Sequence, residues 1–131
     1  MPTMPTTYRS PRQPSRREVR KEYDRHRGSA RERGYTHDWD KASKRNLIMY
    51  PLCVGCLSVD RTQAATVTDH IIPHKGDMDL FWDGNNWQSC CTDHHNIIKA
   101  ILENEYADGK ISEEQLKLDS DRAIELTNLR M

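Results

Sequence analysis

Asp69 and His70 stand side by side in the run Thr68-Asp69-His70-Ile71-Ile72-Pro73-His74, and Asn85-Asn86-Trp87-Gln88 and Cys91-Thr92-Asp93-His94-His95 follow it. A carboxylate and a later imidazole can hold a divalent cation between them. A second imidazole beside the carboxylate can take a proton from water. Those parts suffice to hydrolyse a phosphodiester with a single metal ion. The expected roles are Asp69 and His95 as ligands of the catalytic cation and His70 as general base, with Asn86 tying the loop after His70 to the next strand. A hard carboxylate oxygen suits Mg2+ or Mn2+, and an imidazole also accommodates Ni2+, cobalt or zinc. An unperturbed imidazole titrates near ~6.5, which places a histidine base in its active form around neutral pH. The base needs an acceptor for its other ring nitrogen, expected to be a backbone carbonyl or a side-chain amide of the far strand or loop. Taken singly, each residue has an ordinary structural role as turn, cap or surface group, and His74 reads as a surface loop residue. The order of the residues is what favours the chemistry.

Two pairs of metal-ligating residues flank this run. Cys53-x-x-Cys56 precedes it and, after 34 intervening residues, Cys91-x-x-His94 follows. Thiolate and imidazole are the ligands of structural Zn2+. The expected set is Cys53, Cys56, Cys91 and His94. The alternative register through Cys90 would place Asp93 at the fourth position, a poorer structural ligand. On an α-helix the adjacent His94 and His95 project about 100° apart, so one can serve the zinc and the other the substrate.

The elements that must position these groups are short. Asp38 to Tyr50 reads as a helix with Trp39, Ala42, Leu47 and Tyr50 toward one face, ended by Pro51. Thr66-Val67-Thr68 reads as a strand delivering Asp69 and His70 at its end. Residues 73–80 read as a loop and Phe81-Trp82 as an apolar anchor. Trp87-Gln88-Ser89 reads as the second strand. A helix capped by Thr92 or Asp93 follows from about His94 to Ala107, with Gly109 as its stop. Ser112-x-x-Gln115 fits a capping box for a last helix to about Leu129.

With 131 residues, 35% of them hydrophobic and 31% charged, the chain has room for one modest domain with a small core, of the kind a metal commonly staples. The net charge of zero conceals an asymmetry. Residues 1–33 carry ten Lys or Arg against four Asp or Glu, and residues 101–131 carry four against eight. A basic arm on a neutral protein suggests a polyanion. Arg16, Arg17, Arg20, Lys21, Arg25, Arg27, Lys75 and Lys99 are the candidates for phosphate contacts, which give salt-sensitive affinity without reading sequence. No base-reading helix rich in Asn, Gln and Arg is evident, so weak sequence preference is expected. The proline-rich first 15 residues are expected to be disordered. The expected organisation is a basic arm, disordered or helical, over 1–33, a catalytic domain over 34–109 and a C-terminal helix over 110–131 packed on it. No apolar run spans a membrane and no secretory signal is evident, which points to the cytoplasm and against a disulfide-bonded structural protein.

In these positions the chain resembles the HNH endonucleases, of α+β class with a ββα-metal (His-Me finger) core. The resemblance runs from about Pro51 to Lys99. Small bacteriophage and prophage members extend it to about 22–102 through Arg33-Gly34-Tyr35, Phe81-Trp82 and Asn86-Trp87-Gln88-Ser89. It implies the same roles for His70, Asp69, His95 and Asn86, and zinc ligation by Cys53, Cys56 and Cys91. The chain departs from the family pattern at His94, where Cys is usual, and at Cys90, where an apolar residue is usual. The resemblance further implies a double-stranded DNA substrate and, among phage members, assistance to the terminase large subunit in genome packaging. A monomer in the bacterial host cytoplasm is expected. The competing expectations are a non-catalytic zinc module that binds DNA or terminase, and a sequence-specific restriction or homing enzyme.

Overall fold

In the computed structural model, residues 13–27, 29 and 31–131 are described, together with their side chains apart from 23–27. The expected disorder of the proline-rich start, and the side chains of Arg25 and Arg27, lie outside this set. The chain divides into two compact units, 1–33 and 34–131. In the first, helix α1 spans Arg16–Arg27. It opens with a reciprocal capping box: Glu18 N donates to Ser15 Oγ and Ser15 N to the Glu18 carboxylate.

The second unit mixes helices with one two-stranded sheet. Helix α2 (His37–Met49) precedes a single helical turn, α3 (Val54–Leu57). Strand β1 (Val67–His70) then pairs antiparallel with β2 (Trp87–Cys90), in the register Val67 with Cys90, Thr68 with Ser89, Asp69 with Gln88 and His70 with Trp87. The connection holds helix α4 (Met78–Trp82) and a 3-10 turn, Gly84–Asn86. A π-helical turn, His94–Lys99, runs into α5 (Ala100–Ala107), and α6 (Asp121–Arg130) closes the unit.

Because side chains alternate along a strand, the register sorts the sheet into two faces. Thr68 and His70 share one face with Ser89 and Trp87. Asp69 shares the other with Gln88. Helix α2 covers the first face: Ser43 Oγ donates to Thr68 Oγ1 at 2.9 Å, and Asn46 Nδ2 reaches Ser89 Oγ at 3.1 Å. Trp39 on the same helix is buried and stacks on His70, with ring centroids 4.8 Å apart and planes 22° apart. Tyr50, expected on this face, is exposed. The main core is aliphatic and thiol-rich: Ile98, Leu102, Leu116, Leu118 and Ala123 are fully buried with Cys53 and Cys90.

Four local expectations need correction. Residues 73–80 are not all loop. Asp77 accepts from Asp79 N and Leu80 N, and this cap starts α4. Neither Thr92 nor Asp93 caps the next helix through its side chain; both already lie within it, and it continues as π over His94–Lys99. The last helix does not begin at Ser112. Residues Glu113–Leu116 form a 3-10 turn, and α6 starts only after Ser120, whose Oγ accepts from Ala123 N at 3.1 Å. The cause is Gln88. Its amide oxygen accepts from Leu118 N at 2.9 Å and its amide nitrogen donates to Leu116 O at 3.4 Å, drawing away backbone groups that a continuous helix would pair internally. Fourth, Lys99 is buried. Gly109, by contrast, ends α5 as expected, at φ +73° with Lys110 N bonded to Glu105 O and Gly109 N to Tyr106 O.

Candidate functional site

Cys53, Cys56, Cys91 and His94 come together in the interior, with their ligand atoms all within 4.8 Å of one another. His94 Nδ1 lies 3.5 Å from Cys53 Sγ, 3.5 Å from Cys56 Sγ and 3.4 Å from Cys91 Sγ, and the Cys56 and Cys91 sulfurs are 3.9 Å apart. With Zn–S near ~2.3 Å and Zn–N near ~2.0–2.1 Å, a regular tetrahedron has S···N edges of ~3.6 Å and S···S edges of ~3.8 Å. These four of the six edges match, and the donor set suits zinc. Cys90 is elsewhere in the core, facing the sheet's interior side, and burial raises its thiol pKa well above normal. Charge makes the same point about the cluster. Burial pushes the Cys53 thiol up, but contacts with the His94 ring and with backbone N–H groups outweigh that and hold it down at about 6. Burial, and then the Cys53 sulfur alongside, push Cys56 up to about 12. Without a cation the pocket favours one thiolate at the expense of its neighbour; a dication removes that conflict.

The second group lies on and beyond the sheet's interior face. Asp69 is buried, and its Oδ2 accepts from Gln88 Nε2 at 2.9 Å. Its Oδ1 faces His95 Nε2 across 3.7 Å. His95 Nδ1 sits 3.1 Å from Asn96 Oδ1, an acceptor, which in the neutral ring favours the Nδ1–H tautomer and leaves Nε2 for a ligand. The two atoms stand too far apart for a hydrogen bond. That span falls between the ~3.0 Å and ~4.2 Å expected for adjacent and opposite ligands of a cation with ~2.1 Å bonds. The His95 side chain is 43% exposed, whereas that of Asp69 is 6% exposed.

His70 occupies the opposite face. Its Nε2 donates to Phe81 O at 3.0 Å, the backbone acceptor expected for a base, and Nδ1 is left as the basic nitrogen. Burial lowers its pKa from 6.5, partly offset by that bond. Trp87 Nε1 donates to the same carbonyl at 2.8 Å. Asn86 staples the connection: its Oδ1 accepts from Ile72 N at 2.9 Å, and its Nδ2 donates to Ile72 O at 3.0 Å and Leu80 O at 3.3 Å. His74 is half-buried, with Nε2 3.0 Å from the Tyr35 hydroxyl.

The structure takes Lys99 off the list of surface cations. It is 1% exposed, and its ammonium donates to His70 O at 2.6 Å, Glu103 Oε1 at 2.9 Å and Asp69 Oδ2 at 3.1 Å. Three donors meet three acceptors, which satisfies the buried charge. The spacing His95, Lys99, Glu103 was a legible signal of a shared helix face. Lys75 is exposed, with φ +48° beside Gly76, and Arg16, Arg17 and Arg20 are exposed on α1. Gln88 and Trp39 were not anticipated as site residues. The first follows only from the strand register, and the second only from how α2 packs.

No family model and no curated protein matches the chain. Among solved structures, the HNH endonuclease of the deep-sea thermophilic bacteriophage GVE2, crystallised with a manganese ion, matches with a TM-score of 0.52 and 32% sequence identity. The match covers 66% of this chain and 97% of that one. No helix among the described residues is long and apolar enough to cross a membrane.

Proposed function

The chain belongs to the HNH endonuclease family, and from that premise we propose that it is a metal-dependent endonuclease that nicks or cleaves double-stranded DNA. The observation that carries this reading is the approach of Asp69 Oδ1 to His95 Nε2, 3.7 Å apart, with His70 next to Asp69 in the same strand. Asp69 and His95 would hold the catalytic cation, Mg2+, Mn2+ or Ni2+. When bound, such an ion neutralises the scissile phosphate and the leaving oxygen. His70 Nδ1 takes the proton of the attacking water. The Phe81 carbonyl and the face of Trp39 stabilise the imidazolium that results, since one accepts from Nε2–H and the other presents its π cloud. Asn86 keeps the carbonyl-bearing connection in place. Cys53, Cys56, Cys91 and His94 hold a structural Zn2+. Lys75 and the exposed arginines of α1 contact the DNA backbone, with weak sequence preference. The assignment to phage biology and to a terminase partner rests on the resemblance to small phage proteins.

One observation favours a rival reading, a zinc module that binds DNA without cutting it: the Lys99 ammonium already occupies Asp69 Oδ2 and opposes a second cation there. Nicking of supercoiled plasmid separates the two. With Mg2+, Mn2+ or Ni2+ the parent should nick, and His70→Ala should lose about 10²–10⁴-fold in rate while retaining its zinc. Binding of DNA by both proteins, with no cutting under any of the three cations, would establish the rival.

A further inference from the structure

The zinc reading leaves one contact unexplained. The C-terminal helix, distant in sequence from both ligand pairs, places a hydroxyl against the imidazole of the cluster. Thr127 Oγ1 lies 3.1 Å from His94 Nε2 and donates its own proton to Ala123 O at 2.8 Å. With that proton committed, Thr127 can only accept from His94, so the imidazole carries its hydrogen on Nε2. Nδ1 is then bare, and it is Nδ1 that lies 3.4–3.5 Å from all three sulfurs. Thr127, His94 and Ala123 are each completely buried, so no water competes for the bond.

The backbone at Gly55 is also shaped for an imidazole. Gly55 lies between the two cysteines of the first pair. A Cβ built there would sit 2.3 Å from His94 Cδ2 and 2.5 Å from Nε2, closer than packed atoms approach. The ring is therefore packed on bare backbone at Gly55 and tethered by a hydroxyl at Nε2.

On the strength of the zinc reading, we infer that Thr127 is a positioning residue of the metal centre: it selects the His94 tautomer that ligates zinc, and so makes metal binding and the docking of α6 mutually dependent. A histidine ligand gains basicity and orientation from the acceptor on its second nitrogen, and losing that acceptor typically weakens metal binding about 10–100-fold. The coupling is reciprocal, because a contact that strengthens zinc binding when α6 is docked must strengthen docking when zinc is bound.

The test measures zinc affinity by chelator competition in the full chain, and α6 amide protection by hydrogen exchange. Thr127→Val keeps the shape and removes the acceptor; Thr127→Ser keeps the acceptor. Val should weaken zinc about 10–100-fold and lower α6 protection in the zinc-loaded protein, whereas Ser should stay close to the parent. In a His94→Cys background, whose fourth ligand has no second ring nitrogen, Val and Thr should bind zinc equally. The inference is overturned if Thr127→Val matches the parent, if Ser loses as much as Val, or if Val weakens zinc equally in the His94→Cys background. Failure of the parent itself to bind zinc would remove the zinc reading along with it, a result distinct from the other three. If Val cannot be purified folded, the Ser variant and the exchange of α6 amides in the parent with and without zinc decide the matter: unchanged protection on zinc removal would refute the coupling.

Discussion

His94 and His95 are adjacent in the chain and opposite in their physical circumstances. His94 is fully buried, donates from Nε2 to Thr127, and turns Nδ1 toward three sulfurs. His95 is 43% exposed, pairs Nδ1 with Asn96, and turns Nε2 toward one carboxylate oxygen. The first environment is closed and supplies four soft or borderline ligands, which suits a permanent structural ion. The second is open and supplies two ligands, which leaves room for water and a phosphate. One π-helical turn carries both, so stability and the proposed chemistry share a backbone while using different nitrogens.

If that division is right, damage to the closed side should be global and damage to the open side local. The largest effect belongs to Cys56→Ser. Apparent zinc-binding free energies in small zinc modules reach about 10–16 kcal/mol and are folding free energy. The variant should therefore lose about one zinc per chain by metal analysis and lose cooperative thermal unfolding of the 34–131 unit. A variant that melts like the parent would mean the cluster is ordinary packing. Gly55→Ala is subtler. It drives a methyl into the His94 ring and should cost about 1–3 kcal/mol, read as a lower denaturation midpoint and weaker zinc retention; an unchanged midpoint would show that the ring has room to shift. Smallest is the pH effect on the open side. The base works when neutral, and burial lowers the His70 pKa below 6.5. The nicking rate should then climb with pH and level off with a midpoint under 6.5. A midpoint above 6.5 would assign the titration to another group or to metal-bound water.

Much of this arrangement was legible before any coordinates, for identifiable reasons. The pairing of Cys53-x-x-Cys56 with Cys91-x-x-His94 is local chemistry at short spacing, and the structure brings those four side chains together and leaves Cys90 in the core. Asp69 and His70 at the end of a strand, and Asn86 before the next, are likewise short-range features. What could not be read depends on long-range contacts. The Gln88 amide dismantles the helix signalled at Ser112, because a side chain 30 residues away takes Leu118 N. Lys99 looked like a phosphate contact because lysine is usually exposed; its burial follows only once Asp69, the His70 carbonyl and Glu103 converge on it. The π turn has no signature in the residues that form it. The placement of α4 at Asp77 was a readable cap that the neighbouring Pro73 and Gly76 obscured.

The central claim, that neighbouring histidines serve different ions, is tested most directly by titrating Mn2+ into zinc-loaded protein and counting free Mn2+ by its paramagnetic resonance, for the parent and for His95→Ala. The account predicts a Mn2+ site in the parent that weakens at least about tenfold in the variant, with the zinc content and the melting transition of both proteins the same. Equal Mn2+ binding in the two proteins, or loss of zinc from His95→Ala, would contradict it.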